Sequence, residues 1–130
     1  MILDTDTISY YLRGSEPVKT KMLLHQHELA STTINYAELL FGLKKRDKKR
    51  YLPTVELIFE HISVHPFDKH AAAIFSELKT RGQRSGTIVA DMDLMIASIA
   101  IAQGETLISN NLRHFSMVEG LEVESWMKAG

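Results

Sequence analysis

The sequence predicts an α/β domain whose central sheet is mostly parallel and is covered by helices on both faces. Short apolar segments that fit β-strands alternate along the chain with longer segments of helical periodicity, and this alternation is typical of parallel sheets with helical crossovers. The apolar run between Asp93 and Gly104 leaves no clearly polar helical face, which indicates a buried helix. Together these observations predict three layers, with helices on either side of the sheet.

The composition is that of an ordinary globular protein. Of the 130 residues, 45% are hydrophobic and 24% are charged, which predicts one domain spanning residues 1–130. The formal net charge of −1 excludes a general attraction to nucleic acids or membranes, so such binding needs a local patch. The absence of cysteine excludes disulfides and thiolate metal sites. No apolar run approaches the length of a membrane span, and we expect a soluble cytoplasmic protein.

The strands and helices are placed by composition and by the residues at their ends. Pro17 and Pro53 suit the first turns of the second and fourth helices. Asp68 suits the N-cap of the fifth helix, and Gly82 its end. The other expected caps are Asp6 or Thr7 for the first helix and Thr32 or Thr33 for the third. The predicted strands are 1–4, 29–32, 62–65, 106–109 and 121–124.

Four polar side chains are predicted to meet at one edge of the sheet. Asp4 ends the first strand, Asp93 opens the sixth helix, and Asn111 follows the fourth strand. The ends of parallel strands and the starts of the helices after them share one edge, where open α/β folds bind ligands. Glu38 lies at the border of the apolar face of the third helix, and it joins the other three if that helix begins at the same edge.

Crowded carboxylates indicate a metal site, because they repel one another unless a cation lies between them. Oxygen ligands without cysteine or clustered histidine favour Mg²⁺ or Mn²⁺ over zinc. Such a metal polarises a phosphoryl oxygen and makes a bound water a better nucleophile. The natural substrate is then a phosphodiester.

Each of these residues also has a plain structural interpretation. Asp6, Asp68 and Asp91 each fit a helix cap, and Asp93 fits a first-turn acid that complements the helix dipole. The basic segment 44–50, KKRDKKR, is by default a solvated surface. No single residue decides between a site and a structural role.

Taken together, these features resemble the PIN-domain ribonucleases, and among them the VapC-type toxins of bacterial toxin–antitoxin pairs. The resemblance covers essentially the whole chain. It is carried by five segments in the family's order: LDTD at 3–6, NYAELLFGL at 35–43, DMDLMIASIAIAQG at 91–104, LISNNLRHF at 107–115 and VEGLEVESW at 118–126.

The resemblance implies a compact three-layer α/β/α PIN fold, Mg²⁺-dependent cleavage of RNA, a homodimer and inhibition by a small VapB-like antitoxin. It assigns metal binding to Asp4, Glu38 and Asp93, and a fourth catalytic position to Asn111. Because Asn111 carries no charge, metal binding should rest on the three acids. The supporting positions that it matches are Asp6, Asp91 and Ser109.

Guidance of RNA has to be local, because the net charge is near zero. We expect it from the basic segment and from cations near the end of the fifth helix. The candidates are Lys48, Lys49, Arg50, Lys79, Arg81 and Arg84. An antitoxin tail is expected to place an arginine against Asp4 or Asp93, where it competes with the metal.

Two other interpretations stay open. The segment from Asp4 to Thr7 also fits the opening D-x-D-x-T of haloacid-dehalogenase-like phosphatases, with Asp4 as nucleophile and Asp6 as its acid/base partner. That interpretation leaves Glu38 unexplained. The second is a PIN-like module that binds RNA or a protein without cutting. The presence of all three principal acids argues against it.

Overall fold

The computed structural model of the chain describes residues 1–127 and contains five strands and seven α-helices. The last three residues of the predicted domain lie outside the described residues. The strands are β1 (Ile2–Leu3), β2 (Ala30–Thr32), β3 (Ser63–His65), β4 (Leu107–Ile108) and β5 (Val123–Glu124). The helices are α1 (Thr5–Leu12), α2 (Glu16–Leu24), α3 (Thr33–Lys45), α4 (Leu52–His61), α5 (Lys69–Ser85), α6 (Asp91–Gln103) and α7 (Leu112–Phe115).

The five strands form one sheet in the order β3-β2-β1-β4-β5, and every neighbouring pair is parallel. The chain begins in the middle at β1, moves outward to β2 and β3, and returns to the other side of β1 for β4 and β5. The strand order therefore reverses between β1 and β4. Open parallel sheets bind ligands in the crevice at such a reversal. The predicted parallel α/β fold is confirmed.

Helices cover both faces of the sheet because alternate strand residues point to opposite sides. Leu3 and Ile108 pack in one apolar cluster with residues of α1 to α4. Ile2 and Leu107 pack in the other cluster with α5, α6 and α7. The predicted buried helix is α6, whose side chains are the largest contribution to the second cluster. No helix among residues 1–127 is long and apolar enough to cross a membrane.

The end of α5 differs from the prediction. The helix continues through Gly82 and ends at Gly86, which has a φ of 78°, a conformation that glycine adopts without steric cost. The backbone N–H of Thr87 then donates to the carbonyl oxygen of Gly82 over 2.8 Å. A Cβ atom at Gly82 would lie 2.8 Å from the carbonyl oxygen of Thr87. Gly82 thus marks a close backbone approach near the helix end.

Two helix starts also differ from the prediction. Asp4, rather than Asp6 or Thr7, is the N-cap residue of α1, although its side chain makes no capping hydrogen bond. α6 begins at Asp91 itself and has Ala90 at its N-cap, so neither Asp6 nor Asp91 is a cap. The caps predicted correctly are Thr32 and Asp68, whose side chains accept from Asn35 N and Ala71 N.

Short helical segments occupy two regions that were expected to be irregular. A 3₁₀ helix spans Lys49–Tyr51 within the basic segment, after the chain turns at Asp47 with a φ of 56°. α7 replaces the predicted loop after β4, and β5 begins at Val123 rather than at 121. The 3₁₀ helix carries Lys49 and Arg50, and α7 carries Arg113 and His114.

Candidate active site

Asp4 is the centre of the polar site. It follows β1 at the reversal of strand order and is only 6% exposed. Its Oδ1 accepts a 2.9 Å hydrogen bond from Nδ2 of Asn35 in α3, and its Oδ2 accepts a 2.7 Å bond from Oγ of Ser109 after β4. Burial raises the pKa of Asp4 to about 7; the charges of Asp6 and Asp93 add to this rise, and the bond from Ser109 opposes it.

Asn35 is a fully buried residue that orients the site. The hydroxyl of Thr32 donates to Oδ1 of Asn35 over 2.7 Å. The amide nitrogen therefore faces the other way, where it donates to Asp4 and, over 3.0 Å, to Oγ1 of Thr5. The sequence interpretation missed Asn35. Its spacing was the available signal, because it follows Thr32 by three residues, as in a capping box, and precedes Glu38 by one helical turn.

Glu38 joins the site, since α3 begins at the same sheet edge as α1. Its Oε1 accepts a 2.7 Å hydrogen bond from Oγ1 of Thr5. The side chain is half-buried, and burial raises its pKa. The bond from Thr5 opposes this rise, whereas the charges of Asp93 and Asp6 add to it. Thr5 thus connects Glu38 to Asn35.

Asp93 and Asp6 complete a group of four mutually repelling carboxylates. Burial raises the pKa of each. For Asp93, the nearby His114 opposes the rise and the charge of Asp6 adds to it. Oδ2 of Asp6 accepts a 3.0 Å bond from the backbone N–H of Asn110. The carboxylate of Asp93 accepts no hydrogen bond from residues 1–127, which leaves its oxygens available to an incoming ligand.

Ser109 and Asn111 lie on the β4 side of the site. The backbone N–H of Asn111 donates over 3.0 Å to Oγ of Ser109, which in turn donates to Asp4. The amide nitrogen of Asn111 lies 3.0 Å from Nδ1 of His114. The sequence interpretation missed His114, whose position one helical turn after Asn111 in α7 brings the two side chains together.

Asp91 is a predicted supporting residue that the structure does not bring to the other acids. Its side chain is 61% exposed and forms a 2.9 Å ion pair with Nζ of Lys79 in α5. Residues that are two positions apart on an α-helix differ by about 200° around its axis. Asp91 and Asp93 therefore cannot face the same site.

The predicted RNA-binding cations occupy two regions. Lys48 is half-buried and lines a cavity beside Glu38, whereas Lys49 and Arg50 are exposed in the 3₁₀ helix. Arg81 lies within 3.8 Å of Glu77 and 3.7 Å of a second glutamate, Glu119, so much of its charge is balanced. The exposed Arg84 is in the last turn of α5. Their role in RNA binding stays a prediction.

The donor chemistry of the site fits a hard divalent cation. Among residues 1–127, no three acidic or histidine side chains already enclose one point where a metal ion could bind. Hydrogen bonds instead hold Asp4 and Glu38 in their present orientations. A carboxylate has about four acceptor positions, so the two bonds to Asp4 leave others available. The oxygens of Asp93 are unengaged among residues 1–127, and Glu38, which accepts one bond from Thr5, likewise keeps acceptor positions.

The chain matches known proteins along most of its length. The PIN domain model matches residues 1–121. A Rickettsia felis protein named ribonuclease VapC2 is 30% identical, and the match covers 98% of both chains. A Salmonella typhimurium protein named tRNA(fMet)-specific endonuclease VapC is 29% identical over 96% of both chains.

Solved structures agree with these matches. The structure of DNA-bound VapBC from Salmonella typhimurium superposes with a TM-score of 0.89 and 29% identity over 96% of both chains. The structure of VapBC2 from Rickettsia felis, bound to a DNA fragment from their promoter, gives a TM-score of 0.88 and 26% identity over 96% of this chain and 97% of that one. The chain therefore belongs to the PIN-domain family, within which it is of the VapC type.

Proposed function

We propose that the chain is the ribonuclease toxin of a toxin–antitoxin pair, and that it hydrolyses RNA phosphodiester bonds with Mg²⁺ or Mn²⁺ bound by Asp4, Glu38 and Asp93. The observation that carries the proposal is the gathering of carboxylates at the strand-order reversal, where burial and mutual repulsion raise their pKa values. A divalent cation relieves such repulsion. The relatives named as ribonucleases support the same activity.

The residues of the site have distinct tasks in this proposal. The cation, when bound, would polarise a phosphoryl oxygen and activate a water molecule. Asn35 and Ser109 hold Asp4 from both sides, so that its oxygens stay at the sheet edge. Asp93 offers oxygens that carry no hydrogen bond from residues 1–127. The amide nitrogen of Asn111 lies against Nδ1 of His114, so Asn111 leaves its amide oxygen available.

We propose a VapB-like antitoxin as the protein partner, because the similar solved structures are VapBC complexes. An arginine of its tail would bind Asp4 or Asp93 bidentately and occupy the place of the metal. We also propose that the chain forms a homodimer, which sedimentation at micromolar concentration tests: a stable monomer would contradict it.

The proposed activity is tested by incubating total cellular RNA with the purified protein and Mg²⁺ or with a chelator, followed by mapping of new RNA ends. The proposal predicts discrete new ends only with the metal. RNA binding without any new end would instead favour a module that binds without cutting. A phosphoaspartate trapped on Asp4 after incubation with a phosphomonoester would favour the phosphatase alternative.

A further inference from the structure

We propose that the cavity beside the carboxylates binds one unpaired nucleobase of the RNA, stacked on Phe41, next to the phosphodiester that is cut. The proposal rests on the ribonuclease function and adds the form of its substrate, a single-stranded segment with a base turned outward. A paired base cannot enter a cavity of this kind, because its Watson–Crick edge and both of its faces are occupied in a duplex.

The cavity adjoins the carboxylate site directly. It has a volume of about 630 Å³, inside the range of about 300–1,000 Å³ that is typical of ligand pockets, and it lies between α1, α3 and the 3₁₀ helix. Thr5 and Glu38 line it, and both also belong to the carboxylate site through their mutual hydrogen bond. A ligand in the cavity is therefore an immediate neighbour of a phosphate bound at the carboxylates.

The apolar wall of the cavity presents an aromatic ring to solvent. Phe41 is 66% exposed, and Met92, which also lines the cavity, is 45% exposed. Nζ of Lys45 lies over one face of the Phe41 ring, 5.8 Å from its centroid, so a base would stack on the other face. An exposed aromatic face beside a cation is the arrangement on which proteins stack the bases of single-stranded nucleic acids. The face of α3 that carries Ala37 and Phe41 thus lines the cavity instead of the core.

The charges around the cavity favour a polyanion over an apolar protein segment. Arg13, Arg46 and Lys48 line it, and none of them has a carboxylate oxygen within 4 Å among residues 1–127. Arg13 instead lies over the ring of Tyr10 at 4.7 Å. Three such cations can contact the phosphates on either side of a stacked base. Glu38 is the one acid in the lining, and it lies at the end that faces the carboxylate site.

The test measures the affinity of a fluorescein-labelled six-nucleotide single-stranded RNA by anisotropy, with Asp93→Asn in every protein so that the RNA stays intact. Phe41→Ala is compared with Leu24→Ala, because Leu24 is similarly exposed at 70% and lies outside the cavity. Loss of one base stack predicts that Phe41→Ala weakens binding about fivefold or more. Leu24→Ala and Phe41→Trp should bind as the parent does.

An abasic RNA series makes the test specific for a base. For the parent protein, one abasic position in the RNA should weaken binding by the same factor as the Phe41→Ala substitution does. For the Phe41→Ala variant, the abasic position should weaken binding no further. Equal affinities of Phe41→Ala and Leu24→Ala would overturn the proposal. Loss of antitoxin-peptide binding in Phe41→Ala, with RNA binding unchanged, would assign the cavity to a protein and overturn it too.

Failure of this inference is distinguishable from failure of the proposed function. If the unsubstituted protein cuts RNA with Mg²⁺ and the Phe41→Ala substitution changes neither cleavage nor affinity, only the cavity proposal fails. A different result would be that no RNA is cut, while Phe41→Ala and the abasic position still weaken RNA binding equally and without adding to each other. That result would support the base site and overturn the nuclease function.

Discussion

At the residue scale, the site depends on polar side chains that the sequence interpretation did not single out. Asp4 and Asp93 could be predicted because they stand at the end of a strand and the start of a helix, and Glu38 because it borders an apolar helix face. Asn35 had only its spacing from Thr32 and Glu38 as a signal, and that spacing does not reveal its two contacts with Asp4 and Thr5, which the fold creates. His114 was missed for the same reason. Asp91 was grouped with Asp93 because the two are close in sequence, but residues two positions apart point to different sides of a helix.

Asp4→Asn is predicted to stabilise the metal-free protein at pH 8 and to stabilise it less at pH 5. The pKa of Asp4 rises from 3.8 to about 7 on folding. The native state thus binds more protons than the unfolded state in this range, and its stability falls as the pH rises through it. A neutral amide avoids this loss, so we expect a gain of about 1–2 kcal/mol at pH 8.

Urea unfolding at both pH values, with a chelator present, measures this difference. Asp91→Asn is the control, because Asp91 is exposed and paired with Lys79; it should give no gain at either pH. A gain from Asp4→Asn of the same size at pH 5 and pH 8 would contradict the explanation by burial of an ionised carboxylate.

Asn35→Ala is predicted to lower the free energy of unfolding by about 2 kcal/mol, because it removes a buried donor from Asp4 and leaves Thr32 without its acceptor. It should also weaken Mn²⁺ binding, since Asp4 loses one of the two bonds that orient it. Chemical denaturation and calorimetric titration measure the two effects. Thr33→Ala, an exposed neighbour in the same helix, serves as control. A result equal to this control would show that Asn35 does not orient the site.

At the scale of elements, helix identity was easier to predict than helix ends. The amphipathic pattern of α5 predicts the helix, and Gly82 predicts an end for it, because glycine commonly terminates helices. The structure places the left-handed residue at Gly86 instead. A local sequence pattern could not separate the two glycines, because the reason for Gly82 is the approach of Thr87 from outside the helix.

Alanine substitutions of two helical glycines should therefore have opposite effects on stability. At Gly42 in α3 an added Cβ meets nothing within 4 Å, so Gly42→Ala should stabilise the protein by about 0.5–1 kcal/mol. At Gly82 the Cβ would lie 2.8 Å from a backbone oxygen, so Gly82→Ala should destabilise it by about 1–2 kcal/mol. Thermal and urea unfolding of both variants test this. Stabilisation by both would mean that the α5–α6 connection moves aside at little cost.

At the scale of the whole molecule, alternation of strands and helices predicted the three layers and the parallel sheet. It did not predict the order of the strands, because that order depends on the side of β1 at which β4 is added after the chain returns from β3. The position of β4 beside β1 brings Ser109 to Asp4. Membership of the PIN-domain family also weighs against the phosphatase interpretation, which left Glu38 without a role.

Competition between metal and antitoxin is expected from the same arrangement. If an antitoxin arginine binds Asp4 or Asp93, its inhibition of cleavage should weaken as the Mg²⁺ concentration rises, because both cations need the same oxygens. Inhibition constants over a range of Mg²⁺, at constant ionic strength, measure this. Replacing the basic residues of the antitoxin tail should remove the dependence. Inhibition that is indifferent to both changes would leave this mechanism without support.

The central claim is that the carboxylates gathered at the strand-order reversal bind the metal with which RNA is cut. The most direct measurement compares Asp93→Asn with Asp91→Asn in metal-dependent cleavage of RNA under single-turnover conditions. The two substitutions make the same chemical change in the first turn of α6, but only Asp93 faces the other acids. We predict a loss of at least about 100-fold for Asp93→Asn at saturating Mg²⁺ and nearly full activity for Asp91→Asn. Equal activities of the two variants would contradict the claim.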